Sequence, residues 1–268
     1  MIGEKLLSIK KFAKITGIKE TTLRYFDEMG LFSPMKKGDQ GYRYYAPTQI
    51  ITINELRLFK DLSLTLKEMC QITKDKTPEK ILQEFVKKEE VVRVELERIR
   101  RQHEVLATRI RLMQIGQNEK NISVREAFMD ERHYALGPKN DFGLDSKFYD
   151  TFMNFCSQAD RYHIDLRFPI GGLFDSLENF IAKPSQPDYY FSVDPEGPET
   201  KPAGNFLVAY VRGYYGEPGD VAERVQKYIK ERHLNTEGPV YMVYVLDEIA
   251  ESDPDQYLAQ VTVKLKDW

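Results

Sequence analysis

Residues 79–113 contain neither glycine nor proline, and no other feature of the 268-residue sequence restricts its fold as much. Written in sevens, the run puts Phe85, Val92, Ile99, Leu106 and Met113 at one position. Leu82, Glu89, Leu96, His103 and Ile110 fall at a second, and the two rows together make the stripe of a coiled coil. Glu89 and His103 interrupt it, as polar seam residues that set register commonly do. At 1.5 Å per residue such a helix runs about 50 Å, too far to lie across one small domain. The pattern therefore predicts a dimerisation helix over 78–116 that pairs with its copy in a second subunit, with packing inside its own chain as the competing arrangement. The rest of the chain is expected to form separate domains at 1–77 and 119–268.

Ahead of the run, "SIKKFAKITGI" sets Ile9, Phe12, Ala13 and Ile15 at helical spacing, with Ser8 as N-cap and Gly17 as stop. The segment "KETTLRYFDEMG" then places Leu23, Phe26 and Met29 on one face and ends at Gly30. Two short helices joined around a glycine make a helix-turn-helix. "LFSPMKKGDQGYRYYAP" carries turn chemistry between aromatic, extended pieces and is expected to form a hairpin. Helices are expected from about Thr48 to Leu62 and across "TLKEMCQIT". In a helix-turn-helix the second helix enters the major groove. Thr21 and Thr22 suit phosphates or base edges, Arg24 suits a guanine, and Tyr25 can donate to a phosphate. Tyr42 and Arg43, with Lys36 and Lys37 beside them, would form a wing against the sugar-phosphate backbone. Hydrophobic packing is the competing role for Tyr42 and Tyr44.

Charge divides the same way. Net charge is +5 over residues 1–78, +2 over 79–118 and −10 over 119–268. A basic front and an acidic back point the front toward a polyanion. The back is also aromatic, holding 12 of the 16 tyrosines, 10 of the 15 phenylalanines and the one tryptophan. Helical patterns at 147–160 and 219–234 lie among strand-like runs, an α+β arrangement with a hint of a two-fold internal repeat. No stretch reaches the roughly 18 apolar residues of a membrane span. The N-terminus lacks a signal-peptide core, and Cys70 and Cys156 form no motif. A cytoplasmic, reduced protein without membrane partners is expected.

Together "SIKKFAKITGI", "TLRYFDEMGLFSP" and "GYRYY" resemble the DNA-binding domain of MerR-family transcription regulators, over roughly the first 115 residues. The resemblance implies a winged-helix homodimer, joined by an antiparallel coiled coil, on a palindromic promoter. Such regulators activate by bending and untwisting an over-long promoter spacer for RNA polymerase, a deformation costing on the order of 1–6 kcal/mol. The acidic half resembles the GyrI-like effector-binding domains of the multidrug-sensing, BmrR-like branch, which hold flat lipophilic cations on aromatic rings. That comparison puts Tyr149, Phe206 and Tyr257 at pocket positions and Met242 where the branch has a buried glutamate. Tyr244, two residues on, would face the same way. With Met242 there, a cation would rest on ring faces, worth about 0.5–2 kcal/mol each, and on a carboxylate elsewhere, Asp247 and Glu178 being the candidates. A neutral ligand remains the alternative.

No G-x-S-x-G, H-E-x-x-H or P-loop occurs, and the four histidines are scattered. No catalytic residues, cofactor or metal site are expected. The leading reading is a ligand-responsive transcription regulator. A small-molecule-sequestering protein or GyrI-like hydrolase with a vestigial DNA-binding front is the alternative, and an effector domain serving only as an interaction surface is the third.

Overall fold

The computed structural model describes residues 5–74, 76–119, 122–142 and 148–266. The extreme termini of the expected outer domains, Trp268 included, and the expected helix start at Lys147 lie outside the described residues. The chain divides into two compact units, Met1–Glu97 and Arg98–Trp268. Helix α5 (Pro78–Asn118) contributes to both.

In the first unit β1 (Leu7–Ser8) leads into α1 (Ile9–Thr16), whose N-cap Ser8 Oγ accepts from the Lys11 amide at 3.4 Å. Gly17 ends it at φ 68°, a left-handed turn that favours glycine. Helix α2 (Glu20–Glu28) follows, then β2 (Lys36–Lys37), β3 (Arg43–Tyr45), α3 (Gln49–Asp61) and α4 (Leu66–Lys74). Strand order is β1-β3-β2, antiparallel throughout. Thr65 and Glu68 cap α4 reciprocally: the Thr65 amide donates to Glu68 Oε2 at 2.6 Å and the Glu68 amide to Thr65 Oγ1 at 3.3 Å. Phe12, Phe32 and Tyr45 stack at the centre of the core, with Phe12 and Tyr45 at 4.6 Å between ring centroids. Leu23 is buried there and Phe26 half-buried, but Met29, expected beside them, is exposed.

The start of α5 closes this core. Phe85 meets Phe59 edge-on at 6.3 Å, so one residue of the expected seam packs within its own unit. Farther along, Leu82, Val92, Leu96, Ile99, Leu106 and Ile110 lie exposed, Leu96 at 65%.

The second unit is built on one antiparallel sheet. Its strands are β4 (Arg125–Met129), β5 (Arg132–Lys139), β6 (Ile170–Phe174), β7 (Tyr189–Ser192), β8 (Glu199–Lys201), β9 (Gly204–Arg212), β10 (Thr236–Leu246) and β11 (Leu258–Leu265). Among the described residues their order is β4-β9-β11-β10-β6-β7-β5-β8. Helices α6 (Phe148–Ser157), α7 (Leu177–Ala182) and α8 (Val221–Arg232) pack on it.

The internal repeat is visible in this order. A strand, a helix and two further strands, β5-α6-β6-β7, recur as β9-α8-β10-β11, and the halves meet where β6 pairs with β10. Each half leaves its helical segment through a left-handed histidine, His163 and His233, both at φ 53°. An aliphatic residue follows each, its amide reaching back to the helical segment: Ile164 to the Ala159 carbonyl and Leu234 to the Ile229 carbonyl. Where β6 crosses β10 it must be thin: a side chain at Gly171 would place Cβ 2.5 Å from the Phe191 ring and 2.8 Å from the Met242 carbonyl.

One carboxylate ties α2 to the hairpin through two ion pairs. The Asp27 side chain, 2% exposed, takes Arg43 Nε at 2.7 Å and Lys37 Nζ at 2.8 Å. Burial alone would raise its pKa, but the Lys37 and Arg43 bonds outweigh that and hold it below the ordinary 3.8. A carboxylate held low stabilises the folded state above its unfolded pKa, and that stability is lost as pH falls through the lower, folded value. Asp27→Asn should cost about 2 kcal/mol at pH 7, less than a fully buried pair because Lys37 is half in water. Calorimetry of the full chain should show the deficit in the first unit's transition shrinking once the pH falls below about 4. An undiminished deficit at pH 3 would rule out the ion pairs as its source.

Candidate functional site

On α2 the buried residues are Leu23 and Asp27, one turn apart, and they fix which face is left outside. Thr21, Arg24 and Tyr25 occupy that outer face at i, i+3 and i+4, and all three are exposed, while Thr22 is half-buried at its edge. The turn between β2 and β3 is closed by the Gly38 amide on the Tyr42 carbonyl at 2.8 Å. It leaves Lys36 exposed and Tyr42 62% exposed. Tyr44 is half-buried and Tyr45 wholly so, its hydroxyl buried without a partner among the described residues. Arg43 differs from the expectation of a free wing-tip cation. Its guanidinium is turned inward onto Asp27, so it positions the hairpin against α2, whatever its outer nitrogens touch. Lys37 joins it from the other strand.

In the second unit a cavity of about 480 Å³ opens on the face of β10 that carries Met242 and Tyr244. Gly172 of β6 lies opposite Met242 in the ladder and adds no bulk. Helix α6 supplies Phe148, Tyr149 and Phe152, and the loop after β9 supplies Tyr214 and Tyr215. Tyr257, just ahead of β11, completes the wall. The rings form one connected set. Tyr215 lies 4.6 Å from Tyr244 and 5.6 Å from Tyr257, near-perpendicular to both, and parallel to Phe148 at 6.5 Å.

Polar groups in the cavity are few and aimed. The Tyr244 hydroxyl donates to the Tyr214 carbonyl at 2.8 Å. Burial, then the fields of Glu217 and Tyr149, raises its pKa. Tyr149 is pushed up to about 12, chiefly by the Tyr214 hydroxyl next to it. The Tyr215 hydroxyl donates to Glu248 Oε2, and burial followed by that bond raises its pKa strongly. These phenols stay protonated and neutral at physiological pH. Asp247, proposed from the sequence as a substitute carboxylate, does line the cavity, but Arg109 of α5 pairs with it at 3.3 Å. Glu178, the other proposal, sits in the first turn of α7 and does not line it. Glu248 lines the cavity and, among the described residues, has no cation within 4.0 Å.

Four of the five expected ligand residues thus converge: Tyr149, Met242, Tyr244 and Tyr257. Phe206 does not. It is fully buried on the opposite face of the sheet, packed with Leu112, Val208, Tyr210 and Leu258. Strand parity is the reason, for Leu207 and Ala209 point to the face that carries Met242. Among the described residues no group of three His, Cys, Asp or Glu side chains could hold a metal ion, and no helix is long and apolar enough to cross a membrane.

Residues 7–76 match the MerR HTH family regulatory protein family. Over 270 residues, 98% of each protein, the chain is 27% identical to the multidrug-efflux transporter 2 regulator of Bacillus subtilis. Over 71 residues, 26% of each protein, it is 37% identical to the transcriptional regulator BrlR of Pseudomonas aeruginosa. The cryo-EM structure of an EcmrR–DNA complex in EcmrR-RPo aligns with 98% of this chain and 100% of that one, at 14% identity and a TM-score of 0.38, too loose a likeness to carry weight. Residues 7–76 are thus a MerR-type helix-turn-helix domain, in a chain that is similar over its length to a transcription regulator.

Proposed function

We propose that this protein is a cytoplasmic, ligand-responsive transcription regulator, a homodimer on promoter DNA whose second unit binds a lipophilic aromatic cation. The observation that carries the ligand class is Glu248, a carboxylate with no cation among the described residues within 4.0 Å, in a cavity walled by tyrosine and phenylalanine rings. An aromatic cation gains about 0.5–2 kcal/mol from each ring face it meets, and Glu248 supplies the charge that Met242 does not. The B. subtilis relative, by its name, regulates a multidrug-efflux transporter, which agrees with a broad aromatic pocket. Binding and not turnover is the proposed role of the cavity, in line with the regulator named as a relative.

For the first unit the proposed contacts are Thr21, Thr22, Arg24 and Tyr25 in the groove and Lys36 and Tyr42 on the backbone, with Arg43 reaching a phosphate only from its Asp27-bound position. The dimer would form along the exposed apolar rows of α5, since six such side chains on one helical stripe cost free energy in water. On the promoter the bound dimer would act on RNA polymerase by reshaping the spacer.

Three measurements test this. Arg24→Ala should lose about 1–3 kcal/mol of affinity, by fluorescence anisotropy, for the duplex that the wild-type protein selects from a random library. An unchanged affinity would remove Arg24 from the interface. Leu96→Glu should shift the protein toward monomer in sedimentation equilibrium, and a stable dimer there would place the interface elsewhere. Glu248→Gln should weaken tetraphenylphosphonium binding by about tenfold or more while leaving the neutral triphenylphosphine oxide little affected. Equal losses for both compounds would mean that Glu248 serves the cavity's shape and not its charge.

A further inference from the structure

The opposite face of β10 holds a second cavity, of about 240 Å³, that the regulator reading leaves unused. Its residues interleave with those of the first: Tyr241 and Val243 of β10, with their cross-strand neighbours Thr262 and Gln260 of β11. Three buried rings form one side of it, Tyr134, Phe191 and Tyr241, each edge-on to the others at centroid separations of 5.2 to 6.0 Å.

Three cations converge on this cavity. Lys201, at the end of β8, is 9% exposed. Its Nζ donates to Thr262 Oγ1 at 2.6 Å and lies 4.5 Å from the Phe206 ring centre and 4.8 Å from that of Tyr241. Arg111 of α5 is half-buried, and Arg132 opens β5. Among the described residues neither Lys201 nor Arg111 has a carboxylate within 4.0 Å. Arg132 reaches one only at 3.7 Å, the exposed Asp130, and His133 lies 3.9 Å from Glu131, while the phenols of Tyr134 and Tyr241 are raised chiefly by burial, with Glu199 adding to it.

A buried cation is costly unless an anion answers it. Here burial and the nearby Arg132 charge both act against the charged forms, pushing Lys201 down to about 7 and lowering Arg111. Elsewhere α5 satisfies its arginines: Arg101 holds Asp194 at 2.7 Å and Arg109 holds Asp247. The second cavity departs from that habit: among the described residues neither Lys201 nor Arg111 has a carboxylate within 4.0 Å.

We propose that this cavity is an anion site for a single-ring aryl carboxylate, the carboxylate set between Lys201 and Arg111 and the ring against Tyr134, Phe191 and Tyr241. Its volume lies below the roughly 300 Å³ at which drug-sized pockets begin, so one ring fits and a polycyclic compound does not. The ring wall argues against inorganic phosphate, which would be stripped of water on that side and gain nothing. The site is separate from the cation cavity, with the opposite charge preference, and both press on β10.

Calorimetric titration of the full-length protein with benzoate, benzamide and inorganic phosphate tests the assignment. Benzoate should bind saturably while benzamide and phosphate should not. Both Lys201→Met and Arg111→Gln should weaken benzoate by at least about tenfold, since each leaves a desolvated carboxylate short of a partner. Arg111→Gln, at a position not fully buried, carries the test if Lys201→Met does not fold. Benzoate binding that is absent, or unchanged in Arg111→Gln, would overturn the proposal. Phosphate binding as tight as benzoate would overturn the ligand class.

Discussion

Strand β10 sends alternate side chains to opposite faces of the sheet, and the chemistry of the whole second unit hangs on that alternation. Met242 and Tyr244 face α6 and the first cavity, whereas Tyr241 and Val243 face α5 and the second. The ladders to β11 and β6 hold this parity on both sides at once. A one-residue slip would carry every one of these side chains to the wrong face. The glycines of β6 let the crossing close without a bulge on either side.

Helix α5 supplies the charge that distinguishes the two faces. Arg101 is held by Asp165, Asp194, Glu104 and Glu196 and lies 4.9 Å from the Phe168 ring centre. Removing one partner of such a cluster typically costs about 3–5 kcal/mol when buried, so Arg101 anchors the helix to the sheet domain. Arg109 pairs with Asp247 at the first cavity, whereas Glu248 has no cation among the described residues within 4.0 Å. Arg111, two residues on, points its charge to the other face. One helix thus sets a negative balance on one side of the sheet and a positive balance on the other.

The front of the molecule was readable because its signals are local. Ser8 and Gly17 bracket α1 through contacts a few residues apart. In the second unit the resemblance to an effector-binding domain, and no pattern in the residues themselves, singles out Tyr149, Met242, Tyr244 and Tyr257, which line one cavity. Phe206 misled because "NFLVAYVR" is apolar at nearly every position, so nothing in the run tells one face from the other. Glu248 and Tyr215 lie in loops, where no periodicity marks direction, and their pairing across the cavity depends on the closed sheet. Helix α7, six residues long, is too short to show a helical period. Lys201 could not be singled out at all, since lysine is ordinarily at the surface and only the packing around Thr262 and Phe206 buries it.

The repeat has a consequence for assembly. β5, β6 and β7 pair among themselves, as do β9, β10 and β11, and among the described residues the strand ladder between these sets is the short one from Val240–Phe174 to Val243–Gly171, beside ring contacts of Tyr241 with Tyr134 and Phe191. Each half can order its own strands before that ladder zips. Both cavities straddle the join, taking Gly172 or Phe191 from one half and Met242 or Tyr241 from the other. They come into being only when the halves dock. A molecule bound in either one therefore acts as a clasp, its whole binding free energy drawn from the joined form and none from the separate halves.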